Sequence, residues 1–282
     1  MQNPNQLERL VWSDDQTGNR GDYQFVSAPR PLGVHPVEIT VDGAAVGSSL
    51  IGQSFADADG NPLVQYFQTR PSAGGYDPLA TGASNLGPES VVDVLPDPAV
   101  PDDVGTPSLL SQVCGRSVAV GVLEGVDGSR PYCTDQGVGA VLAVYRENGL
   151  SGPVTRVVSV NEACPTTPFL ARYEGIAVEC ATPGEDYAGG VVTPIHRDVS
   201  DDPAVPSDAV TASGSGLDPG ISPAYAQLQA PRVARERGVD LATVSALIEE
   251  HTTARLLGFV GEPAVAVLDL NVDLDRLHPY RG

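Results

Sequence analysis

The sequence contains no lysine, and it has only one methionine and one tryptophan. Its 16 basic side chains are all arginine, and 36 aspartate and glutamate residues give a formal net charge of -20. Without lysine, a P-loop lysine, a Schiff base and a kinase-type ATP lysine are excluded. Without clusters of cationic side chains, the composition also argues against nucleic acid or anionic lipid as a partner.

A long apolar run is also absent. No segment approaches the roughly 20 apolar residues that span a bilayer, and residues 1–21 are polar throughout. We therefore expect a soluble chain with neither a signal peptide nor a membrane anchor in this sequence. Apolar residues make up 41% of the 282, enough for the core of one large domain or two ordinary ones.

The four cysteines all lie in the middle of the chain, at Cys114, Cys133, Cys164 and Cys180. Their spacings are long and no C-x-x-C occurs, so a compact zinc site has little support. An even, clustered set favours two disulfides, and therefore a location outside the cytosol. Three connectivities are open, with nearest-neighbour pairing favoured, and four reduced buried cysteines remain the alternative.

Two acidic, proline-rich stretches, residues 95–107 and 198–208, are typical of exposed connectors. They bracket the segment that holds the cysteines. We predict three pieces: residues 1–90, an insertion at 91–206, and residues 207–282, with the first and last packing together.

Local patterns predict an α+β fold with a β-rich insertion. Alternation at Val37, Ile39 and Val41, a turn at Asp42-Gly43 and the run 45–51 indicate a β-hairpin. Apolar, β-branched runs predict strands in the insertion at residues 117–123, 140–145, 154–160 and 169–178.

Helices are predicted in the last piece. Ser222-Pro223 is a capping serine with a first-turn proline, and we expect that helix to break at Pro231. Asp240 is placed to cap the next helix. Strict alternation of apolar and acidic residues over 268–275 predicts a half-buried strand.

Catalytic patterns are weak. Ser213 and Ser215 lie in a Gly/Ser loop that lacks the G-x-S-x-G spacing, although Asp218, His196 and His251 allow a hydrolase triad on paper. The same loop has G-x-G spacing but no complete dinucleotide fingerprint. A turn before a helix is the better interpretation, so we expect no catalytic residue.

Metal-binding patterns are equally weak. The four histidines are far apart in sequence. Asp57, Asp59 and Asn61 around Gly60 resemble the start of a calcium loop, but no glutamate completes it, and we interpret it as an exposed turn. We expect no metal and no cofactor bound by this chain.

Long motif runs resemble the C subunit family (KdpC) of Kdp-type, ATP-driven potassium transporters. The runs, which cover about half the chain in family order, are VGSSLIGQSF at 46–55, YF and RPSA within 66–73, YDPLATGASNLGP at 76–88, DAVTASGSGLDPGISPAYAQLQAPRVARERG at 208–238, LLGFVGEP at 256–263 and VAVLDLNVDLD at 265–275.

The resemblance implies a non-catalytic accessory subunit in a membrane complex. Its expected partners are a channel-like A subunit that conducts potassium, a P-type ATPase B subunit that forms the aspartyl-phosphate, and a small F subunit. ATP, Mg²⁺ and K⁺ then act at the level of the complex. The family's C subunit has one N-terminal transmembrane helix and a soluble domain on the outer face, and it is needed for assembly and activity.

The same resemblance gives the candidate subunit-interface residues. They are Gly47, Ser49, Gly52, Arg70, Pro71, Ser72, Asn85, Gly87, Ser213, Gly214, Gly216, Asp218, Pro219, Ser222 and Pro223.

Four features depart from the family pattern. The transmembrane helix is missing, Gly220 stands where the family has histidine, and Gln68-Thr69 stands where it usually has Trp-Gly. The cysteine-bearing insertion replaces a modest linker and helix. Two other hypotheses stay open, a free extracellular binding module and a hydrolase that uses Ser213 or Ser215.

Overall fold

A computed structural model describes residues 9–13, 20–24, 38–41, 44–255 and 261–281. Its contacts divide these residues into two compact units. The first unit takes the described residues before position 85 and after position 205, and the second unit is residues 85–205. The domain boundaries predicted at 91 and 206 stay predictions.

The secondary structure is mixed, as predicted. In chain order the described elements are β1 (Arg9–Ser13), β2 (Arg20–Gln24), β3 (Glu38–Val41), β4 (Ala44–Ser48), α1 (Leu109–Glu124), β5 (Val141–Arg146), β6 (Val154–Ala163), β7 (Arg172–Tyr173), β8 (Ile176–Ala181), β9 (Val191–Pro194), β10 (Gly220–Ile221), α2 (Pro223–Arg237), α3 (Leu241–Glu250), β11 (Thr252–Thr253), β12 (Ala264–Ala266) and α4 (Val267–Leu277).

In the first unit, β3 and β4 form the predicted antiparallel hairpin, whose turn residues Asp42 and Gly43 lie outside the described residues. A second antiparallel pair joins β1 and β2. A small sheet of order β10-β12-β11 contacts α2 and α4 through β12, and α3 packs on α2. Apolar faces of the three helices are buried, so this unit has its own core.

Helix α2 begins as predicted. The Ser222 hydroxyl accepts the Tyr225 N–H at 3.0 Å, and Gly238 ends the helix with a left-handed φ of 65°. The break expected at Pro231 is wrong, because α2 continues through it. Proline removes one helical hydrogen bond, but the neighbouring Ala230 and Val233 are fully buried, and their packing holds the helix together. Helix α3 begins after Asp240 as predicted, without a side-chain cap bond.

The strand predicted at 268–275 is wrong, because this stretch forms α4. Leu270, Asn271 and Leu274 are fully buried along one helical face, together with Val267. The buried positions 267, 270, 271 and 274 follow a helical period, whereas the apolar residues at 268, 270, 272 and 274 alternate as in a strand. Packing on the α4 face therefore decides between the two patterns.

The second unit is built on a five-stranded sheet of order β7-β8-β6-β5-β9. The pair β6 and β8 is parallel, and the other neighbours are antiparallel. Strands predicted at 140–145 and 154–160 are confirmed by β5 and β6. The strand predicted at 169–178 is corrected to a shorter hairpin, because Gly175, with φ of 86°, turns the chain between β7 and β8.

The strand predicted at 117–123 is also wrong, because it lies inside α1. The Ser108 hydroxyl caps this helix by accepting the Ser111 N–H at 3.1 Å, and Gly125 ends it. The buried face of α1 consists of small residues, and two of them, Ser117 and Gly121, lie close to Gly128 in the loop after the helix. The buried residues are Ser111, Cys114, Ser117 and Gly121. An apolar run with a buried small-residue stripe carries no strong strand or helix period.

Both nearest-neighbour disulfides are present. Cys114 on α1 pairs with Cys133, and Cys164 after β6 pairs with Cys180 on β8. Their Cα–Cα distances are 5.4 and 5.1 Å, which suit a disulfide. The pairing predicted from the sequence is confirmed.

Replacing both Cys114 and Cys133 by serine should lower the free energy of unfolding of the second unit by about 3 kcal/mol, because the bridge closes a loop of 19 residues in the unfolded chain. Guanidinium unfolding with a probe in each unit measures this, and the first unit's transition is the internal control. Four free thiols by mass in oxidatively prepared protein would contradict the prediction.

No helix among the described residues is long and apolar enough to cross a membrane.

Candidate functional site

Most of the family-motif residues in the first unit surround one irregular stretch, residues 65–76, which we call the clamped segment. It contains no helix or regular strand. Side chains of α2 and α4 hold its first half, and the loop of residues 211–219 holds its second half.

Arg70 ties the clamped segment to the loop. Its Nη1 donates to Asp218 Oδ2 at 2.9 Å, and its Nη2 donates to the Thr211 and Ala212 carbonyls at 3.3 Å. Both ion-pair partners are partly exposed, which limits the Coulomb contribution. The fixed fork of the guanidinium makes this contact chiefly a geometric tie between two backbone stretches.

Ser72 and Tyr76 continue the tie. Ser72 Oγ donates to the Gly216 carbonyl at 2.8 Å and accepts the Tyr76 N–H at 3.0 Å. The Tyr76 hydroxyl donates back to the Arg70 carbonyl, and Tyr76 itself adopts a left-handed φ of 62°. The phenol therefore closes the segment on itself.

The loop serines are used for structure. Ser213 is fully buried, its N–H donates to the Pro71 carbonyl at 2.8 Å, and its Oγ accepts the Asp218 N–H at 3.2 Å. Ser215 Oγ donates to Asp218 Oδ1 at 3.1 Å and accepts the Leu217 N–H at 3.1 Å. These hydroxyls hold the turn together.

The two histidines that the hydrolase hypothesis would use as a base, His196 and His251, are hydrogen-bonded or ion-paired to aspartates and not to Ser213 or Ser215 in the contacts described. His196 Nε2 lies 2.8 Å from Asp201, and His251 Nε2 lies 3.0 Å from Asp273. The geometry gives the hydrolase interpretation no nucleophile–base pair among the described residues.

Two glycines permit close approach. The Gly52 N–H donates to the Leu217 carbonyl at 2.9 Å, and a Cβ on Gly52 would lie 2.3 Å from the Asp218 carbonyl oxygen. A Cβ on Gly47 would lie 2.5 Å from Leu268 Cδ2. At Gly52 the obstacle is backbone, so no side chain can move aside to accommodate a methyl group.

The structure thus brings part of the candidate set together around the clamped segment: Gly52, Arg70, Pro71, Ser72, Ser213, Gly216 and Asp218.

The remaining candidates of the first unit lie outside the bonds described above. Gly47 and Ser49 lie at the end of the β3–β4 hairpin, and Gly214 is exposed with open space around it. The Pro219 carbonyl accepts the Val267 N–H at 3.1 Å. Pro223 opens α2.

Ser222 combines its cap with a second tie, because its N–H and hydroxyl both donate to Asp208, at 2.7 and 2.9 Å. Asn85, with a left-handed φ of 57°, and Gly87 belong to the second unit.

Sequence reasoning missed the side chains that hold the first half of the clamped segment. Asn271 Oδ1 accepts the Phe67 N–H and its Nδ2 donates to the Phe67 carbonyl, both at 2.9 Å. Gln229 makes the same pair of bonds to Gln68, at 2.6 and 3.1 Å. Two amide side chains therefore satisfy both backbone groups of two consecutive residues in a buried, irregular stretch.

Arginines of α2 complete this arrangement. Arg237 donates to the Gln65 carbonyl at 2.8 Å and to Asp275 Oδ1 at 2.8 Å, and its guanidinium lies 5.0 Å from the centre of the Tyr66 ring. Arg232 is almost fully buried and donates to the Tyr66 carbonyl at 3.0 Å. The sequence signal that could have indicated these bonds is that Gln229, Arg232 and Arg237 share the face of α2 that carries its alanines.

The calcium-like turn uses its own carboxylate. Asn61 Nδ2 donates to Asp57 Oδ2 at 3.0 Å, and Asp57 Oδ1 accepts the N–H groups of Asn61 and Asp59 at 2.8 and 2.9 Å. These bonds, first of all the one from the Asn61 side chain, lower the pKa of Asp57. Among the residues that the structure describes, no group of three or more His, Cys, Asp or Glu side chains is placed to hold a metal ion.

Tyr76 gives the segment a testable alkaline limit. Burial raises the pKa of Tyr76 from 10.0 to about 12. Because the folded pKa is raised, the stabilisation is complete below pH 10 and is lost as pH rises toward 12, by about 3 kcal/mol in total. Urea unfolding of the first unit between pH 9 and about pH 11.5 should show this loss.

Tyr76→Phe should remove most of that pH dependence while costing some stability at neutral pH, since its bond to Arg70 is lost. Tyr280→Phe, at a partly exposed tyrosine of the same unit, is the matched control and should leave the profile unchanged. An identical alkaline loss in Tyr76→Phe would contradict the assignment.

Comparison with known proteins places these residues in a family. The family model described as "KdpC: K+-transporting ATPase, c chain" matches residues 35–93 and 191–276. Those ranges include the clamped segment, the 211–219 loop, α2, α3 and nearly all of α4.

Curated relatives agree. A Kineococcus radiotolerans protein named "Potassium-transporting ATPase KdpC subunit" is 34% identical over 243 residues, covering 86% of this chain and 75% of that protein. Proteins with the same name from Mycobacterium tuberculosis and Streptomyces coelicolor are 34% and 33% identical, covering 84% and 85% of this chain and 76% and 75% of their own lengths. The chain therefore belongs to the KdpC family, the c chain of K⁺-transporting ATPases.

Proposed function

We propose that this chain is a non-catalytic accessory subunit that assembles with the other Kdp subunits and stabilises the active transporter. Its partners are the channel-like A subunit, the ATPase B subunit and the small F subunit. ATP hydrolysis takes place in the B subunit, and K⁺ and Mg²⁺ act at the level of the complex, with no cofactor on this chain.

One observation carries the proposal. Side chains in the family-matched ranges, such as Arg70, Asn271 and Gln229, form hydrogen bonds that fix the backbone of the clamped segment and of the 211–219 loop. A rigid, irregular surface held by buried polar side chains suits recognition by another protein better than it suits bond-breaking chemistry.

The two disulfides support placing the domain on the extracytoplasmic side of the membrane, where thiols stay oxidised. Association with the membrane then runs through the partner subunits and through an N-terminal transmembrane helix of the kind that the family resemblance implies.

The proposed partner surface includes the turn after β4 and the end of the clamped segment. Leu50 in that turn is 58% exposed, and Leu79 beyond Tyr76 is 66% exposed. Because these leucine side chains are mostly exposed, they contribute little to the stability of the free domain. Covering them in an interface would be favourable, since it removes apolar surface from water. They are therefore better probes of assembly than Arg70, whose loss would also loosen the loop.

The experiment is co-purification of the complex through a tag on the B subunit. Leu50→Asp combined with Leu79→Asp should reduce the recovered amount of this chain by about 10-fold or more, because two charges would have to be desolvated in the interface. Leu241→Asp on α3, at a leucine that is 48% exposed, is the matched control and should leave recovery unchanged. Full recovery of the double variant would remove this surface from the interface, and failure of the unaltered chain to co-purify would refute the proposed function.

A further inference from the structure

The second unit contains a surface groove that the family-matched network does not use. Its volume is about 600 Å³, and all of its lining residues lie in this unit. Ala143 and Val160 of the sheet form its floor, and Val94 and Leu95 of the connector form one wall. Val192, on edge strand β9, forms another part of the lining. We call it the sheet groove.

The apolar lining of the sheet groove is open to solvent. Val94 is 66% exposed and Val192 is 46% exposed, although Ala143 and Val160 beneath them are buried. Covering such side chains releases water from apolar surface, so the groove favours an apolar occupant at its centre.

The rim of the sheet groove is acidic. Asp97, Asp103, Glu185 and Asp186 line it, and its described lining contains no arginine and no histidine. Arg156, outside the lining, pairs with Glu185 but is shared with Glu179, so it does not neutralise the rim.

Local bonds hold these carboxylates in place. Asp97 Oδ1 accepts the Ala99 N–H at 2.8 Å, and Asp186 Oδ1 accepts the Ala188 N–H at 2.8 Å. Asp103 accepts two backbone N–H groups, which lower its pKa, and the bond with Arg156 lowers the pKa of Glu185. The rim is negatively charged and pre-arranged before any partner arrives.

We propose that the sheet groove binds an extended segment of a partner protein in which apolar side chains alternate with arginine or lysine. The apolar side chains would cover Val94 and Val192, and the cationic ones would pair with the acidic rim. Charge complementarity selects this occupant, because anionic partners are repelled and a second copy of the chain carries the same net charge of -20. The proposal does not depend on the assembly proposed above.

The test uses the full oxidised chain and a blocked hexapeptide of alternating arginine and valine. NMR titration at low salt should shift the resonances of groove residues, and the affinity should fall as salt is added. Asp97→Asn with Asp186→Asn should weaken binding about 5-fold, since each asparagine keeps the Oδ1 acceptor and loses only the charge. Val94→Ser with Val192→Ser should weaken it by a similar factor.

Matched controls separate the groove from general electrostatics. Asp127→Asn with Asp198→Asn removes two charges from exposed positions of the same unit outside the groove lining, and should leave the affinity within about 2-fold. A peptide of alternating arginine and serine should bind more weakly than the arginine-valine peptide.

Three results would overturn the proposal. They are no binding of the arginine-valine peptide, equal binding of the arginine-serine peptide, and equal weakening by the groove and control variants. Self-association of the chain that Val94→Ser with Val192→Ser abolishes would instead assign the groove to a second copy.

Discussion

Gly52→Ala is expected to lower the free energy of unfolding of the first unit by about 4 kcal/mol, above the common cost of one overpacked methyl group. The added Cβ would lie 2.3 Å from the Asp218 carbonyl oxygen and 2.7 Å from Tyr76 Cε1. Relieving the first contact would move the loop, which breaks the bond between the Gly52 N–H and the Leu217 carbonyl. Urea unfolding with a probe in the first unit measures the effect.

Gly214→Ala is the matched control, since it makes the same change within the 211–219 loop. Gly214 is exposed, and a Cβ there would meet no atom within 4 Å. We expect a change within about 0.5 kcal/mol, as for an ordinary surface substitution. Equal effects of the two variants would show that the close approach at Gly52 does not hold the loop.

Asn271→Ala is expected to cost about 4 kcal/mol. The substitution removes two hydrogen bonds and leaves both the N–H and the carbonyl of Phe67 buried without their partner. Each orphaned backbone group carries its full desolvation cost, and a small cavity is added under α4. Chemical unfolding of the first unit provides the measurement, and hydrogen exchange at the Phe67 amide should accelerate.

Asn61→Ala makes the same substitution at an exposed position, where the side chain bonds to Asp57 at the surface. Its cost should stay below about 1 kcal/mol because water replaces the lost partner. A cost for Asn271→Ala as small as that of Asn61→Ala would mean that α4 does not hold the clamped segment.

Of the residues behind these two predictions, the sequence allowed Gly52 to be selected as a candidate but gave no role to Asn271. Gly52, Arg70 and Asp218 could be selected because they stand in long family-like runs. Asn271 and Gln229 could not be assigned a role, because their bonds join positions 204 and 161 residues apart and end on backbone atoms. Backbone acceptors in an irregular stretch leave no residue pattern to recognise.

The fold shows the same division. The β3–β4 hairpin, the start of α2 and the disulfide pairing follow from local chemistry, namely alternation, a serine cap and cysteine proximity. The assignments of α1 and α4 failed because their buried faces are decided by distant packing. In α4, Leu270 and Leu274 fit a strand or a helix until Asn271 is placed against Phe67.

Because the motif residues hold backbone, loss of stability and loss of a partner contact are easily confused in this protein. A variant at Gly52 or Asn271 should disturb assembly by loosening the first unit. Leu50→Asp with Leu79→Asp should disturb assembly while leaving unfolding unchanged, since both leucines are exposed. Comparing unfolding and co-purification for the two kinds of variant separates the two effects.

We propose that the K⁺-transporting ATPase requires this chain, although the chain does not perform the chemistry itself. The most direct measurement is potassium-stimulated ATP hydrolysis by the purified complex, prepared with and without this chain. We expect the stimulation to be lost when the chain is absent, to be restored when the chain is co-expressed, and never to appear with the chain alone. Undiminished potassium-stimulated hydrolysis in the absence of the chain would show that the ATPase does not require it.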